Sequence, residues 1–220
     1  MHPANNGGSP RILIADDHAL FRSGLRGILA ACPRRPRIDE AATGVEVLKL
    51  VAEASYDCIL LDILLPDMNG FEIIKRLKVL RPGVRVLVLS MYPEDQFGVR
   101  ALKAGAAGYL TKNSAPELLL EAVRRVCASL KYISPALVEM LSDDLSDGKP
   151  ASAAPHERLT DRELQVLTLI ASGKTVSDIG RELHLSVKTV SVHRGHILGK
   201  MGLKNNAELI KYAVNNGLVF

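Results

Sequence analysis

From residue 11 to about residue 131, short aliphatic runs alternate with amphipathic stretches. The runs are ILIA (12–15), a weaker one around Ile38 to Ala42, CILL (58–61), VRVLVL (84–89) and GYLT (108–111). Three of them are almost continuously apolar, as strands covered on both faces of a sheet are. Between the first two, Leu20, Phe21, Gly24, Leu25, Ile28 and Leu29 recur at helical spacing and predict one amphipathic helix. A second is expected to open at Ser114 as N-cap, with Pro116 and Glu117 in its first turn, and to continue through LLLEAVRRVCASL. Repeats of this kind predict a doubly wound α/β domain over 11–131.

The pattern then changes. Residues 142–157, SDDLSDGKPASAAPHE, are small, polar and proline-rich without apolar periodicity, which predicts a linker. Residues 158–220 show helical periodicity and no strand signal, with four helices expected near 161–172, 175–183, 187–201 and 206–216. The expected organisation is a disordered tail (1–10), the α/β domain (11–131), a helix end with a flexible linker (132–157) and a small all-α domain (158–220).

Composition narrows the class. The 220-residue chain has 47% hydrophobic residues, enough for two small cores, but only 4% aromatics, so those cores should be aliphatic. Cys32, Cys58 and Cys127 lie far apart in sequence, which argues against a disulfide framework or a zinc site and suits a reducing compartment. The start, MHPANNGGSP, lacks the apolar core of a signal peptide, and no stretch approaches the roughly 20 apolar residues of a membrane span. A cytoplasmic protein without a membrane partner is expected.

The candidate chemistry sits at strand ends. Asp16 and Asp17 follow the first predicted strand, Asp62 ends the third, Ser90 the fourth and Lys112 the fifth. All are carboxyl ends, the edge of an open parallel sheet where ligands bind. In the strand order 2-1-3-4-5, strands one and three are neighbours, and the three aspartates meet. Three carboxylates in one crevice repel one another, and a divalent cation relieves that; an all-oxygen donor set suits magnesium. One aspartate could then accept a phosphoryl group, with the metal and Lys112 neutralising its oxygens and Ser90 supplying a hydroxyl donor. Taken singly, each residue has a plain structural role, as N-cap, turn former or solvated strand end; their joint placement favours the chemistry.

ILIADDH, CILLDILLPDMNG, VLVLSMY and AAGYLTK resemble the receiver domain of bacterial two-component response regulators, over residues 11 to about 130. The resemblance implies a flavodoxin-like fold and phosphorylation of Asp62 by a sensor histidine kinase. It also implies Mg2+ held by Asp16, Asp17, Asp62 and the backbone carbonyl of Leu64. Ser90 and Tyr109 match the switch pair and Lys112 the phosphate-binding lysine. Two positions depart: Leu64 is apolar where many members are polar, and Asn113 follows Lys112 where proline is common.

In the C-terminal segment, SVKTVSVHRGHILGKMGLK (186–204) carries Lys188, Arg194, Lys200 and Lys204 and no acidic residue, the electrostatic mark of phosphate binding. Val190, Ile197, Leu198 and Met201 form its expected buried stripe. Lys188, Thr189, Ser191, Val192, Arg194 and Gly195 are left for the outer face. With TVSDIGREL and the HLS break before it, the segment predicts a helix-turn-helix whose second helix enters the major groove. His193 and His196 are expected as surface or phosphate contacts rather than metal ligands, since nothing nearby completes a site. The stretch from LTDRELQ to GLKN resembles the LuxR-type helix-turn-helix of NarL/FixJ response regulators. This implies Glu163 as a structural anchor, Lys188 and Thr189 near phosphates, and Ser191, Val192 and Gly195 facing bases; the basic Arg194 and Lys200 complete the expected DNA-binding set.

The combined expectation is a transcription factor, not a turnover enzyme, in which phosphorylation of Asp62 controls dimerisation and binding of double-stranded promoter DNA, with RNA polymerase as a further partner. Two alternatives stand beside it. One is a phosphorylation-independent regulator whose receiver only dimerises. The other is an Asp-nucleophile phosphatase, disfavoured because Leu64 occupies the place of its second acid.

Overall fold

The computed structural model describes residues 8–146 and 154–218, in two compact units divided after Ser146. In the first unit the strands are β1 (Arg11–Ala15), β2 (Arg37–Ala41), β3 (Cys58–Asp62), β4 (Val86–Ser90) and β5 (Gly108–Thr111). They form one parallel sheet in the order β2-β1-β3-β4-β5. The alternating helices are α1 (Ala19–Leu29), α2 (Gly44–Glu53), α3 (Gly70–Leu80), α4 (Glu94–Ala104) and α5 (Pro116–Cys127). Parallel neighbours need crossover connections, and these helices supply them while covering both faces.

Alternation along the strands divides the core. Ile12, Ile14, Cys58, Leu60, Leu87 and Leu89 pack with Leu25 and Leu29 of α1 and Leu119, Ala122, Val123 and Val126 of α5. Intervening residues such as Leu13, Ile59, Leu61 and Val88 are equally buried on the other side, where α2, α3 and α4 lie. Strand pairing sets Ala15 opposite Leu61 and Asp62 opposite Leu89, so the ends of β1, β3 and β4 finish at one edge.

Three local expectations are corrected. Leu20 is 89% exposed and leaves the apolar stripe of α1, because the sheet lies under Leu25 and Leu29 one turn further on. The N-cap of α5 is Ala115, which makes no side-chain cap; the Ser114 hydroxyl lies 3.0 Å from that of Thr111 instead. Residues 142–146 are helical, closing α6 (Pro135–Ser146), whose Leu137 is fully buried against α4. Ala136, Leu137, Glu139, Met140 and Leu141 are good helix formers, and the helix they start runs on into the acidic stretch. Residues 1–7 of the expected tail and 147–153 of the expected linker lie outside the described residues.

The second unit opens with a 3-10 turn (Pro155–Arg158) that the sequence did not signal. It continues with α7 (Asp161–Ala171), α8 (Val176–Glu182), α9 (Val187–Met201) and α10 (Asn206–Asn215), matching the expected helices. Capping boxes at Thr160/Glu163 and Thr175/Asp178 start α7 and α8, and Ser186 caps α9. Between α8 and α9 the chain passes so close that a Cβ on Gly180 would sit 2.9 Å from the carbonyl oxygen of Leu185. Glycine is what lets this turn close.

Candidate functional site

Asp16, just past β1, and Asp62, the last residue of β3, are 2% and 3% exposed. Buried carboxylates require partners. Lys112, just past β5, supplies one: its Nζ lies 2.5 Å from Asp62 Oδ2 and 2.6 Å from Asp16 Oδ2. Backbone donors hold the other oxygens, the His18 N–H on Asp16 Oδ1 (2.8 Å) and the Leu64 N–H on Asp62 Oδ1 (3.0 Å). The Phe21 ring lies beneath the ammonium, 4.6 Å from its centroid, a cation–π contact. Gly70 closes the loop after Asp62, since a Cβ there would sit 2.5 Å from the Ile63 Cα.

Asp17 is more open, with its side chain 37% exposed and Oδ1 2.7 Å from His18 Nδ1. One ligand atom from each of Asp16, Asp17, His18 and Asp62 can be chosen so that all lie within 4.8 Å of one another. Asp16 Oδ2 is buried and, despite its closeness to Lys112, accepts no aligned hydrogen bond among the described residues. A crowded set of carboxylate oxygens with one lacking a donor fits a hard divalent cation. Histidine beside that set is a contributor the sequence did not single out, although His18 stands within the quoted ILIADDH.

Electrostatics follow from burial. Desolvation pushes the Asp62 carboxyl above the usual carboxylate range, and Asp16 adds to the rise, while Lys112 and the Leu64 N–H oppose it. Burial alone would pull the Lys112 ammonium down, but Asp62 and Asp16 outweigh it and hold it above the ordinary lysine value.

Ser90 and Tyr109 lie fully buried beside this cluster. The Ser90 hydroxyl accepts the N–H of Tyr92 (3.1 Å), and the Tyr109 hydroxyl donates to the carbonyl of Tyr92 (2.8 Å). The Tyr92 ring stacks on Phe97 of α4 at 4.7 Å. Tyr92 thus joins the two switch candidates, a role played by its backbone that residue type alone could not announce. Burial raises the Tyr109 phenol well above its ordinary value, so it stays a donor.

In the second unit, Val190, Ile197 and Met201 are buried and Leu198 half-buried, as expected for the inner stripe of α9. Lys188, Ser191, Val192 and Gly195 are exposed, and nothing lies within 4 Å of where a Gly195 Cβ would stand. Thr189 is half-buried, its hydroxyl 2.8 Å from Ser186 Oγ. Two predicted contacts have internal ties: Arg194 Nε donates to Asn206 Oδ1 (2.6 Å), and Lys200 Nζ to Glu163 Oε2 (2.6 Å). Glu163, nearly buried, also closes the capping box of α7, which makes it an anchor between α7 and α9. His193 is half-buried, with burial lowering its pKa, and His196 is exposed near Glu163. Among the described residues no helix is long and apolar enough to cross a membrane.

Comparison with known proteins identifies the family of each unit. Residues 12–124 match the response regulator receiver domain, and residues 157–213 the bacterial regulatory proteins of the luxR family. The response regulator GacA of Pseudomonas aeruginosa is 35% identical over 210 residues, covering 95% of this chain and 97% of that protein. The oxygen regulatory protein NreC of Staphylococcus epidermidis is 35% identical over 215 residues, covering 95% and 99%. RcsB of Salmonella enterica serovar Typhimurium, solved bound to promoter P1flhDC in the presence of phosphomimetic BeF3-, superposes with a TM-score of 0.64 over 93% of this chain and 98% of that one; at 23% identity this speaks for the fold. With both domain models matched in order and near full-length relatives above 30% identity, the chain belongs to the two-component response regulators of the NarL/FixJ type, a receiver domain followed by a LuxR-type helix-turn-helix domain.

Proposed function

We propose that this chain is a DNA-binding transcription factor switched by phosphorylation of Asp62, the phosphoryl group coming from a histidine of a sensor kinase. The observation that carries this is the joint approach of Lys112 to Asp62 and Asp16 at the carboxyl edge of the sheet. In the transfer an Asp62 carboxylate oxygen forms the new bond to phosphorus as the bond from phosphorus to the kinase histidine nitrogen breaks. Lys112 is placed to follow the transferred charge, and the Ser90 hydroxyl to donate to a phosphoryl oxygen. Asp16, Asp17, Asp62 and the Leu64 carbonyl are the proposed Mg2+ ligands, with His18 at the rim; bound Mg2+ supplies neutralisation of the phosphoryl oxygens.

The new group carries about −1.5 to −2 charges into a buried site, offset in part because Asp62 gives up its carboxylate charge in forming the acyl phosphate. Rotation of the Ser90 side chain toward the phosphoryl group draws its Oγ away from the Tyr92 N–H, and Tyr109 follows through its bond to the Tyr92 carbonyl. The consequence is a shift between two receiver states that governs pairing of two copies on promoter half-sites. Promoter binding under phosphomimetic conditions by the RcsB relative supports that output. On the DNA side, α9 is the proposed major-groove helix. Ser191, Val192 and Gly195 face bases, and Lys188, Thr189, Arg194 and Lys200 lie toward phosphates. The working compartment is the cytoplasm, where promoter DNA and free thiols both belong.

The test is chemical. Incubated with a small acyl phosphate and Mg2+, the wild type should gain one phosphoryl group, mapped to the peptide containing Asp62, and Asp62→Asn should gain none. Label on another residue, or continuous release of phosphate from a phosphomonoester, would refute the assignment.

A further inference from the structure

After α5 the chain turns at Ser129, in the left-handed region (φ 66°), and runs back along the sheet edge. The Tyr132 N–H donates to the Ala107 carbonyl at 2.8 Å, and a Cβ on Gly108 would lie 2.5 Å from the Tyr132 carbonyl oxygen. This return delivers α6 onto α4, where a hydrogen bond and a packed leucine grip it. The Ser134 hydroxyl donates to Glu94 Oε2 at 2.7 Å while accepting the Leu137 N–H at 3.1 Å. Leu137 fits over Gly98, where a Cβ would stand 2.9 Å from Leu137 Cδ1.

The seat is narrow and carries a built-in cost. Leu137 is the one fully buried residue of α6 among those described, while Val138 is half exposed. Glu94 Oε1 is buried without a hydrogen-bond partner among the described residues. An orphaned acceptor weakens the docked state, and a helix with a single fully buried side chain among its described residues opens at the low end of local stabilities. Both gripping residues belong to α4, whose N-cap, Pro93, directly follows Tyr92. Phe97, next to Gly98, carries the Tyr92 ring.

We propose that α6 is a latch on α4, closed through Glu94–Ser134 and Gly98–Leu137 and opened from the Asp62 site by way of Tyr92. Resting on the phosphoacceptor role proposed above, the order of events is local. The Ser90 side chain rotates toward the phosphoryl group and carries its Oγ away from the Tyr92 N–H, Pro93 and Glu94 shift, and the grip on Ser134 and Leu137 is lost. The last described element before the second unit is thereby set free by the receiver state.

Amide hydrogen exchange over residues 137–142 of the full chain tests this, with phosphoryl labelling measured by intact mass on the same samples. Couplings between sites are typically about 5- to 150-fold, so labelled wild type should exchange about tenfold faster there than unlabelled protein. Ser90→Ala, which removes the Tyr92 acceptor, should raise exchange without any phosphodonor. Leu137→Ala, undocking α6 directly, sets the upper limit. Unchanged protection of α6 in labelled wild type, or in Ser90→Ala, overturns the latch. If the wild type takes no label, the role of Asp62 is what fails, and the Ser90→Ala comparison decides the latch alone.

Discussion

The Lys112 ammonium lies 2.5 Å from Asp62 Oδ2 with both side chains almost wholly removed from solvent. It serves two carboxylates at once, since Asp16 Oδ2 is 2.6 Å away, so the site holds one cation against two buried anions. That imbalance makes the unliganded pocket receptive to a further cation.

Lys112→Met should therefore destabilise the receiver. Removing one partner of a buried ion pair costs about 3–5 kcal/mol, and here two carboxylates are left facing each other. Asp62→Asn should cost much less, because Lys112 keeps Asp16. Urea unfolding followed by tyrosine fluorescence reports this well, since four of the five tyrosines, Tyr56, Tyr92, Tyr109 and Tyr132, lie in the first unit and tryptophan is absent. Equal losses for the two variants would show that the pairing has no such weight.

Leu64 is half-buried two residues past the acceptor and holds Asp62 through its N–H. An apolar side chain there slows the approach of hydrolytic water. Leu64→Asn keeps the backbone bond and admits water, so the phosphorylated protein should lose its phosphoryl group several-fold faster. Identical decay in the two proteins would remove Leu64 from the control of signal lifetime.

Glu163 links acid sensitivity to the second unit. Burial pushes its carboxyl up, but Lys200 and the Thr160 N–H and hydroxyl outweigh this and hold it below the ordinary value of 4.5. A depressed folded-state pKa contributes stability that is present above the unfolded value and is lost as pH falls through the folded one. Protection of α7 and α9 amides should thus decline below about pH 4.5 more steeply in wild type than in Glu163→Gln. Near neutrality Glu163→Gln should itself be less stable by roughly 1–2 kcal/mol, from the weakened cap and the lost ion pair. Parallel pH profiles for the two proteins would contradict the anchor role.

On DNA, Lys188→Ala should weaken binding evenly across sequences and reduce the slope of log affinity against log salt by about 1. Lys200→Ala should lower the stability of the second unit as well, because Lys200 holds Glu163. Titrations at several salt concentrations, with melting curves alongside, separate the two lysines. A Lys188 variant with an unchanged salt slope would take that side chain off the phosphates.

Much of this was legible in sequence because strands buried on both faces read as unbroken apolar runs, and parallel topology sends their carboxyl ends to one edge. Asp16, Asp62, Ser90 and Lys112 could be assembled from that rule alone. The misses share a cause, which is that backbone geometry did the assembling. The His18 and Tyr92 N–H groups hold Asp16 and Ser90, and α6 is seated by Leu137 over Gly98 and by Ser134 on Glu94. The cysteines teach the same lesson. Cys32, Cys58 and Cys127 are remote in sequence yet share the core under α1 and α5 as free thiols, where a hydrogen bond with Cys127, together with burial, raises the Cys58 thiol pKa.

The most direct test of the switch is the affinity of the full chain for a selected promoter fragment at fixed salt, with and without a small acyl phosphate and Mg2+, in wild type and in Asp62→Asn. The account predicts tighter binding by the treated wild type and no response from Asp62→Asn. Equal affinity of the wild type in both conditions, with label confirmed on Asp62, would contradict it.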